Sequence, residues 1–344
     1  MYIADLHVHT AVSDGSFTAE EVLQLAQEKG LTHIAFTDHD TTRLAAEHVQ
    51  LAAGYGLTAV PAVELSAYDS QRKKKVHILG FAYQTTENIE AIGSETLRKR
   101  DANCRRQIEI LNTLGYQISV DDIAGRAGDC IYKQHILDYL VHTGQSSELF
   151  GAVYQNIFKN NGPCHFDIAY PEAVDVVRAI KADGGWAVLA HPGQQGNYEI
   201  IPELVAAGLD GIEWKHPSHS AEDCEKVQRY ADIYGLFLTG GSDFHGIYEK
   251  NGAAFAAELH FPQLFRQLFH LRQRQCEQAV VHPFQHHEAL AHGVAELCGE
   301  VQPPFGVDGI VIPAKEHAAR PLSGLWRGSL PYFHPLYPTD THLL

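Results

Sequence analysis

The chain has 344 residues, with 26 Lys and Arg against 42 Asp and Glu, so its formal charge is −16; 22 residues are histidine. That balance excludes a protein that grips duplex nucleic acid by a broad basic face or lies on anionic membranes. At 45% hydrophobic and 20% charged residues the composition is globular, and the length accommodates two average domains or one α/β barrel carrying an insertion.

In chain order, β-rich runs alternate with helical patterns. Tyr2–Val8 is the first strand, without the basic n-region of a secretory signal. Thr18–Lys29 follows as a helix, opened by the capping-box pair Thr18 and Glu21 and stopped by Gly30. Thr32–Thr37 and Thr58–Val63 read as strands flanking a helix at Thr41–Ala53, and Val76–Phe81 as a fourth strand. From 84 to 169 the alternation stops. Helical patterns at Ile89–Leu114, Tyr132–Val141 and Leu149–Phe158 mark an insertion. Alternation resumes with a helix at Pro171–Ala182 and a strand at Trp186–Ala190, then a helix at Ile201–Ala207. Gly211–Trp214, Ala221–Tyr234 and Leu236–Thr239 complete it as strand, helix and strand. The expected organisation is a discontinuous barrel domain over 1–83 and 170–281, a helical lid over 84–169, and an irregular Pro-rich extension over 282–344. No run of about 18 apolar residues marks a membrane span. Six cysteines without a C-x-x-C spacing read as reduced thiols, which fits a cytoplasmic setting.

Chemistry collects where these strands end. His7 and His9 share i, i+2 parity and face one side. Asp14 follows in a loop, His39 ends the second strand, Glu64 the third, and His77 lies in the fourth. His191 ends another strand, and Asp243 and His245 again share parity. A single strand-end histidine is ordinarily structural. Nine His, Asp and Glu residues gathered by one topological rule form a ligand set for Zn, Mn or Fe. Asp38 is a candidate second contact that orients a ligand imidazole, and Asp40 a helix cap.

The stretches Asp5-Leu6-His7-Val8-His9-Thr10, Ser13-Asp14-Gly15, Thr37-Asp38-His39-Asp40, Ala190-His191-Pro192-Gly193 and Gly241-Ser242-Asp243-Phe244-His245, with Glu64 and His77, resemble the PHP (polymerase and histidinol phosphatase) superfamily. The resemblance covers roughly residues 1–82 and 170–250. It implies an α/β fold, a distorted (β/α)7 TIM-like barrel of the PHP type, with the helical insertion over its C-terminal rim. It also implies two or three divalent metal ions, Mn, Zn or Fe. His7, His9, Glu64 and Asp243 would hold one; Glu64 would bridge to a second held with His77 and His191; Asp14, His39 and His245 would hold a third. The implied reaction is phosphoester hydrolysis by metal-hydroxide attack on phosphorus.

Among members of that superfamily the chain looks most like small stand-alone phosphoesterases. One group opens 5-phosphoribosyl 1,2-cyclic phosphate and then removes the monoester; a second takes nucleoside 3′,5′-bisphosphates or trims short RNA from its 5′ end. Members of the second group carry Gly-Arg-Pro-His where this chain reads Ile131-Tyr132-Lys133-Gln134-His135, which favours the cyclic-phosphate group. Histidinol phosphate is a further candidate. An amide or lactone hydrolase is the alternative from another class, and a metal-stabilised scaffold the non-enzymatic one. A small phosphorylated substrate needs cations away from the metals. The candidates are Arg105, Lys133, His135, Lys215 and His219, with His216 near the chemistry. The run Arg72-Lys73-Lys74-Lys75 reads as a solvated turn.

Overall fold

The structure, a computed structural model, describes residues 3–128, 130–248 and Phe255. The expected extension over 282–344 and the cysteines Cys276 and Cys298 lie outside them. The first strand, β1 (Ala4–Val8), is buried at every position and leads into α1 (Ala19–Glu28). Thr18 and Glu21 close the expected capping box, and Val22, Leu23 and Ala26 form the buried face of α1. Next come β2 (His33–Phe36) and α2 (Ala45–Gly54). That helix starts four residues later than its sequence pattern, because Leu44 takes a left-handed φ of 65° at its N-cap.

The run read as one strand over Thr58–Val63 is two. Pro61 separates β3 (Thr58–Ala59) from β4 (Ala62–Asp69), since proline offers no N–H to a ladder. β4 turns back antiparallel into β5 (Lys74–Phe81), in register from Ala62↔Phe81 to Asp69↔Lys74. At that turn Arg72 binds Asp69 and Glu203, and Lys75 binds Asp167 at 2.5 Å, so the basic run is ion-paired and not merely solvated.

Helices then take over with α3 (Glu87–Thr113), α4 (Val120–Ala127) and α5 (Lys133–His142). The pattern at Leu149–Phe158 narrows to a π-helical turn over Tyr154–Phe158. These helices share an apolar cluster of their own, including Ile108, Leu111, Ile123, Ile136, Leu140 and Phe158. After α6 (Ala173–Ala182) come β6 (Trp186–Leu189), a single turn α7 (Pro192–Gln195), α8 (Ile201–Ala207), β7 (Gly211–Lys215), α9 (Ala221–Tyr234) and β8 (Phe237–Gly240). Asp183, just past α6, accepts from the backbone N–H groups of Asn88 and Ile89 and so caps α3 from outside.

The α/β class holds, but among the described residues the strands do not close into a seven-strand barrel. Among the described residues the strands pair as a parallel three-stranded sheet, β1-β2-β3, and a mixed five-stranded sheet, β4-β5-β6-β7-β8. Isolated bridges Val8↔Phe244 and His39↔Glu64 link them. Leu6, Ala35, Ala62, Leu79, Phe81 and Val188 form one buried cluster drawn from both sheets, so their inner faces converge. Among the described residues no helix is long and apolar enough to cross a membrane.

Candidate metal centre

Glu64, fully buried on β4, lies among five imidazoles. Its Oε2 is 3.1 Å from His7 Nε2, 3.1 Å from His9 Nε2 and 3.3 Å from His39 Nδ1. Its Oε1 is 2.9 Å from His77 Nδ1 and 3.0 Å from His191 Nε2. Asp243 Oδ1 lies 3.3 Å from His7 Nε2 and 3.2 Å from His9 Nε2. Asp14 Oδ1 lies 3.4 Å from His245 Nε2 and 3.8 Å from His9 Nδ1. Ligand atoms within 4.8 Å of one another occur in the groups His7, His9, Glu64, Asp243; His9, Asp14, His39, His245; and His39, Glu64, His77. The structure thus brings all nine sequence-derived candidates together.

Their chemistry fits cations. His7 Nε2, both His9 nitrogens, His39 Nδ1, Asp14 Oδ1 and Glu64 Oε2 are buried without a hydrogen-bond partner. Buried polar atoms are nearly always paired, and these point at one another. Nitrogen and carboxylate donors so arranged suit Zn, Mn or Fe. Burial opposes charge on His7 and His9, yet Glu64 and Asp243 beside them raise both imidazoles, His9 to about 10, so that without cations these two rings carry the positive charge that the carboxylates demand. Burial opposes charge on Glu64 and Asp243, yet surrounding imidazoles, His7 foremost, hold both carboxyls well below their usual range. Burial likewise pushes His39 down, to about 3, so it is a neutral donor despite Glu64 and Asp14 nearby.

Several residues hold these ligands in place. Gly241 is required because a Cβ there would stand 2.2 Å from His7 Cβ. Asp5, pushed up to about 6 by burial against bonds from Ser242 and His7, accepts from Ser242 N–H and hydroxyl at 2.9 and 2.6 Å and so anchors the turn before Asp243. Asp40, His191 and Asp243 sit at φ of 59°, 25° and 53°. Left-handed backbone in residues other than glycine costs ~1–3 kcal/mol each and collects at functional sites. Glu213 on β7 was not among the sequence candidates. It accepts from His7 Nδ1 at 3.1 Å and from His191 N–H at 2.8 Å, which leaves His7 Nε2 facing the centre. A lone acid inside the apolar run Gly211-Ile212-Glu213-Trp214 was the available signal. Glu213 adds a fourth carboxylate, so three divalent ions would leave the pit less positive than the three expected acids imply.

The second contacts differ from expectation. Asp38 touches no ligand imidazole within hydrogen-bond reach; it accepts from Thr10 N–H at 2.9 Å and Ser13 hydroxyl at 2.7 Å, and so shapes the loop that carries Asp14. Asp40 is not a helix cap. Its carboxylate accepts from Ser66 N–H at 2.7 Å and from Arg100 Nη2 at 2.6 Å. His216 donates through Nε2 to Asp243 Oδ2 at 3.3 Å, while its Nδ1 accepts from Ser218, so it orients a ligand.

The proposed substrate cations already meet groups of the chain itself. Arg105 is half exposed and pairs with Asp101 at 2.5 Å, one turn away on its own helix. Both His219 nitrogens serve the backbone, accepting from Gly193 N–H and donating to the Trp214 carbonyl. Lys215 Nζ stands 4.3 Å over the Trp214 ring. Lys133 lies 5.9 Å from the Phe158 ring, with its ammonium pKa lowered by burial among the helices. His135 Nδ1 accepts from Tyr132 N–H, closing the first turn of α5. Helical rotation brings the neighbour Gln134 to the centre instead, where Nε2 donates to Asp14 Oδ2 at 2.8 Å.

Comparison with known proteins agrees with this geometry. Residues 5–182 match the PHP domain family. A phosphoribosyl 1,2-cyclic phosphate 1,2-diphosphodiesterase from Eggerthella lenta is 43% identical over 247 residues, spanning 71% of this chain and 94% of its own. A 3′,5′-nucleoside bisphosphate phosphatase from Chromobacterium violaceum is 31% identical over 255 residues, 70% of this chain and 86% of its own. A crystal structure of a metal-dependent phosphoesterase from Bifidobacterium adolescentis superposes with a TM-score of 0.71 at 28% identity, covering 77% of this chain and 95% of its own. Signature histidines, buried acids and matched sequence coincide: the chain belongs to the PHP domain family.

Proposed function

We propose that this hydrolase cleaves phosphoester bonds of a small phosphorylated sugar, opening 5-phosphoribosyl 1,2-cyclic phosphate and then removing the monoester. The observation that carries the reading is the division of Glu64, with Oε1 facing His77 and His191 and Oε2 facing His7, His9 and His39. A carboxylate addressed on both oxygens by separate imidazole sets is placed to bridge two cations. His7, His9, Glu64 and Asp243 would hold one, Glu64, His77 and His191 a second, and Asp14, His39 and His245 a third. Divalent ions held there would supply water activation near neutral pH and charge neutralisation at phosphoryl oxygens.

The chain's own groups do the remainder. Glu213 keeps the His7 proton on Nδ1 and presents Nε2. His216 fixes the second oxygen of Asp243. Gln134 fixes the second oxygen of Asp14. The helical segment over 84–169 covers the substrate, and its departure from Gly-Arg-Pro-His favours the cyclic phosphate over a nucleoside bisphosphate. The relative at 43% identity supports that ordering; the one at 31% supports the second reading, a nucleoside 3′,5′-bisphosphate phosphatase. Turnover of 5-phosphoribosyl 1,2-cyclic phosphate and adenosine 3′,5′-bisphosphate by the metal-loaded protein decides between them. The cyclic phosphate is expected to be consumed with a far higher kcat/KM; a large preference for the bisphosphate reverses the assignment.

A further inference from the structure

The helices over 87–142 reach the ligand cluster, and their contacts converge on one part of it. Arg100 of α3 donates from Nη2 to Asp40 Oδ2 at 2.6 Å and to Ser66 hydroxyl at 2.9 Å. Gly93, two turns earlier, packs so closely on the same residue that a Cβ would lie 2.3 Å from the Asp40 carbonyl oxygen. Tyr132, fully buried at the start of α5, donates its hydroxyl to the His39 carbonyl at 3.0 Å. Gln134, two residues on, donates to Asp14 Oδ2. The His135 ring stands 6.5 Å from that of Tyr248, three residues beyond His245. Asp14 and His39 are thus held directly by the helices, and the stretch that follows His245 meets the His135 ring. Different residues hold the other ligands: Glu213 holds His7 and His191, and His216 holds Asp243.

From this division we infer that the helical segment is the positioning element of the ligand group Asp14, His39 and His245, with Arg100, Tyr132 and Gln134 as its positioning residues. The inference rests on the metal-centre reading above. Asp40 has a left-handed φ of 59°, and its carboxylate is fixed by Ser66 and Arg100. Asp40 N–H donates to the Glu64 carbonyl at 2.8 Å, so this turn sets where the His39 ring meets the cluster. Removing the Arg100 charge frees the turn; removing the Tyr132 hydroxyl frees the His39 carbonyl. The Tyr132 change leaves the ligands on β1, β4, β5 and β6 untouched, whereas Arg100 also holds Ser66, two residues from Glu64 on β4. Occupancy of one ion then depends on the helices, while the others depend on the sheets.

The test is metal content per chain, by elemental analysis of Mn-loaded protein during dialysis against chelator, for the wild type, Arg100→Met, Arg100→Lys, Tyr132→Phe and Gln134→Ala. One ion of three should leave about 10–100-fold more readily from Arg100→Met, the usual cost of losing a group that orients a ligand, with the other two shifting less, by no more than the loosened Ser66 beside Glu64 allows. Its kcat should fall with KM little altered, and Arg100→Lys should recover part of both. Equal weakening of every ion, unchanged retention, or a rise in KM alone overturns the inference. Should Arg100→Met fail to fold, Tyr132→Phe, which loses a single hydroxyl, gives the same reading. A wild type holding only two ions overturns this inference and leaves the metal-dependent reading standing; a wild type holding none defeats both.

Discussion

The strand ends and the helical segment use charged side chains in opposite ways. At the strand ends, four acids and six histidines crowd together with buried atoms left unpaired by any hydrogen bond, a donor set that suits added cations. On the helices the arginines already have partners: Arg98 with Glu95 and Arg105 with Asp101 within one turn, and Arg100 with Asp40 across the fold. An unsatisfied constellation points to a ligand, while a satisfied pair points to folding or positioning. Abundance of charge alone distinguishes neither.

The sharpest way to break this contrast is at the cluster itself. His9→Ala, which removes donors from two ligand groups, should bring turnover to background together with loss of bound metal; full activity in metal-depleted protein would end the comparison. Glu213→Gln comes next. It keeps the shape but weakens the hold on His7, and should cost about 10–100-fold in metal affinity or turnover, read by chelator titration. Ile136→Ala acts on the other region, in the apolar cluster of the helices. It should cost ~2–5 kcal/mol of stability in urea unfolding, with a smaller effect on kcat in the protein that remains folded. Smallest of all is Arg105→Ala. An exposed one-turn pair contributes ~0.3–0.5 kcal/mol, so stability and KM should stay near wild type, and a large rise in KM would assign Arg105 the substrate contact that its sequence position suggests.

What the sequence made legible follows from the same contrast. Histidines and acids clustered at strand ends were legible from the sequence, but strand parity accounts only for His7 with His9: Asp243 and His245 lie beyond β8, and it is the left-handed φ of 53° at Asp243 that turns them to the centre. The capping box of α1 was equally local and equally legible. Pairing between strands was not. Nothing in Val76–Phe81 states that it runs antiparallel to both neighbours, and the break at Pro61 was read through. Partners distant in sequence were invisible too. Glu213 meets His7 across 206 positions and Arg100 meets Asp40 across 60, so neither role was visible locally. In α5, Lys133 and His135 drew attention by charge, yet helical rotation delivered the neutral Gln134.

Anomalous scattering from crystals of the Mn-loaded protein would show directly which cations Glu64 meets. The account predicts separate metal peaks on the two sides of Glu64, with Oε1 directed to the ion beside His77 and His191 and Oε2 to the ion beside His7 and His9. A single peak, or both Glu64 oxygens directed to one ion, would contradict it.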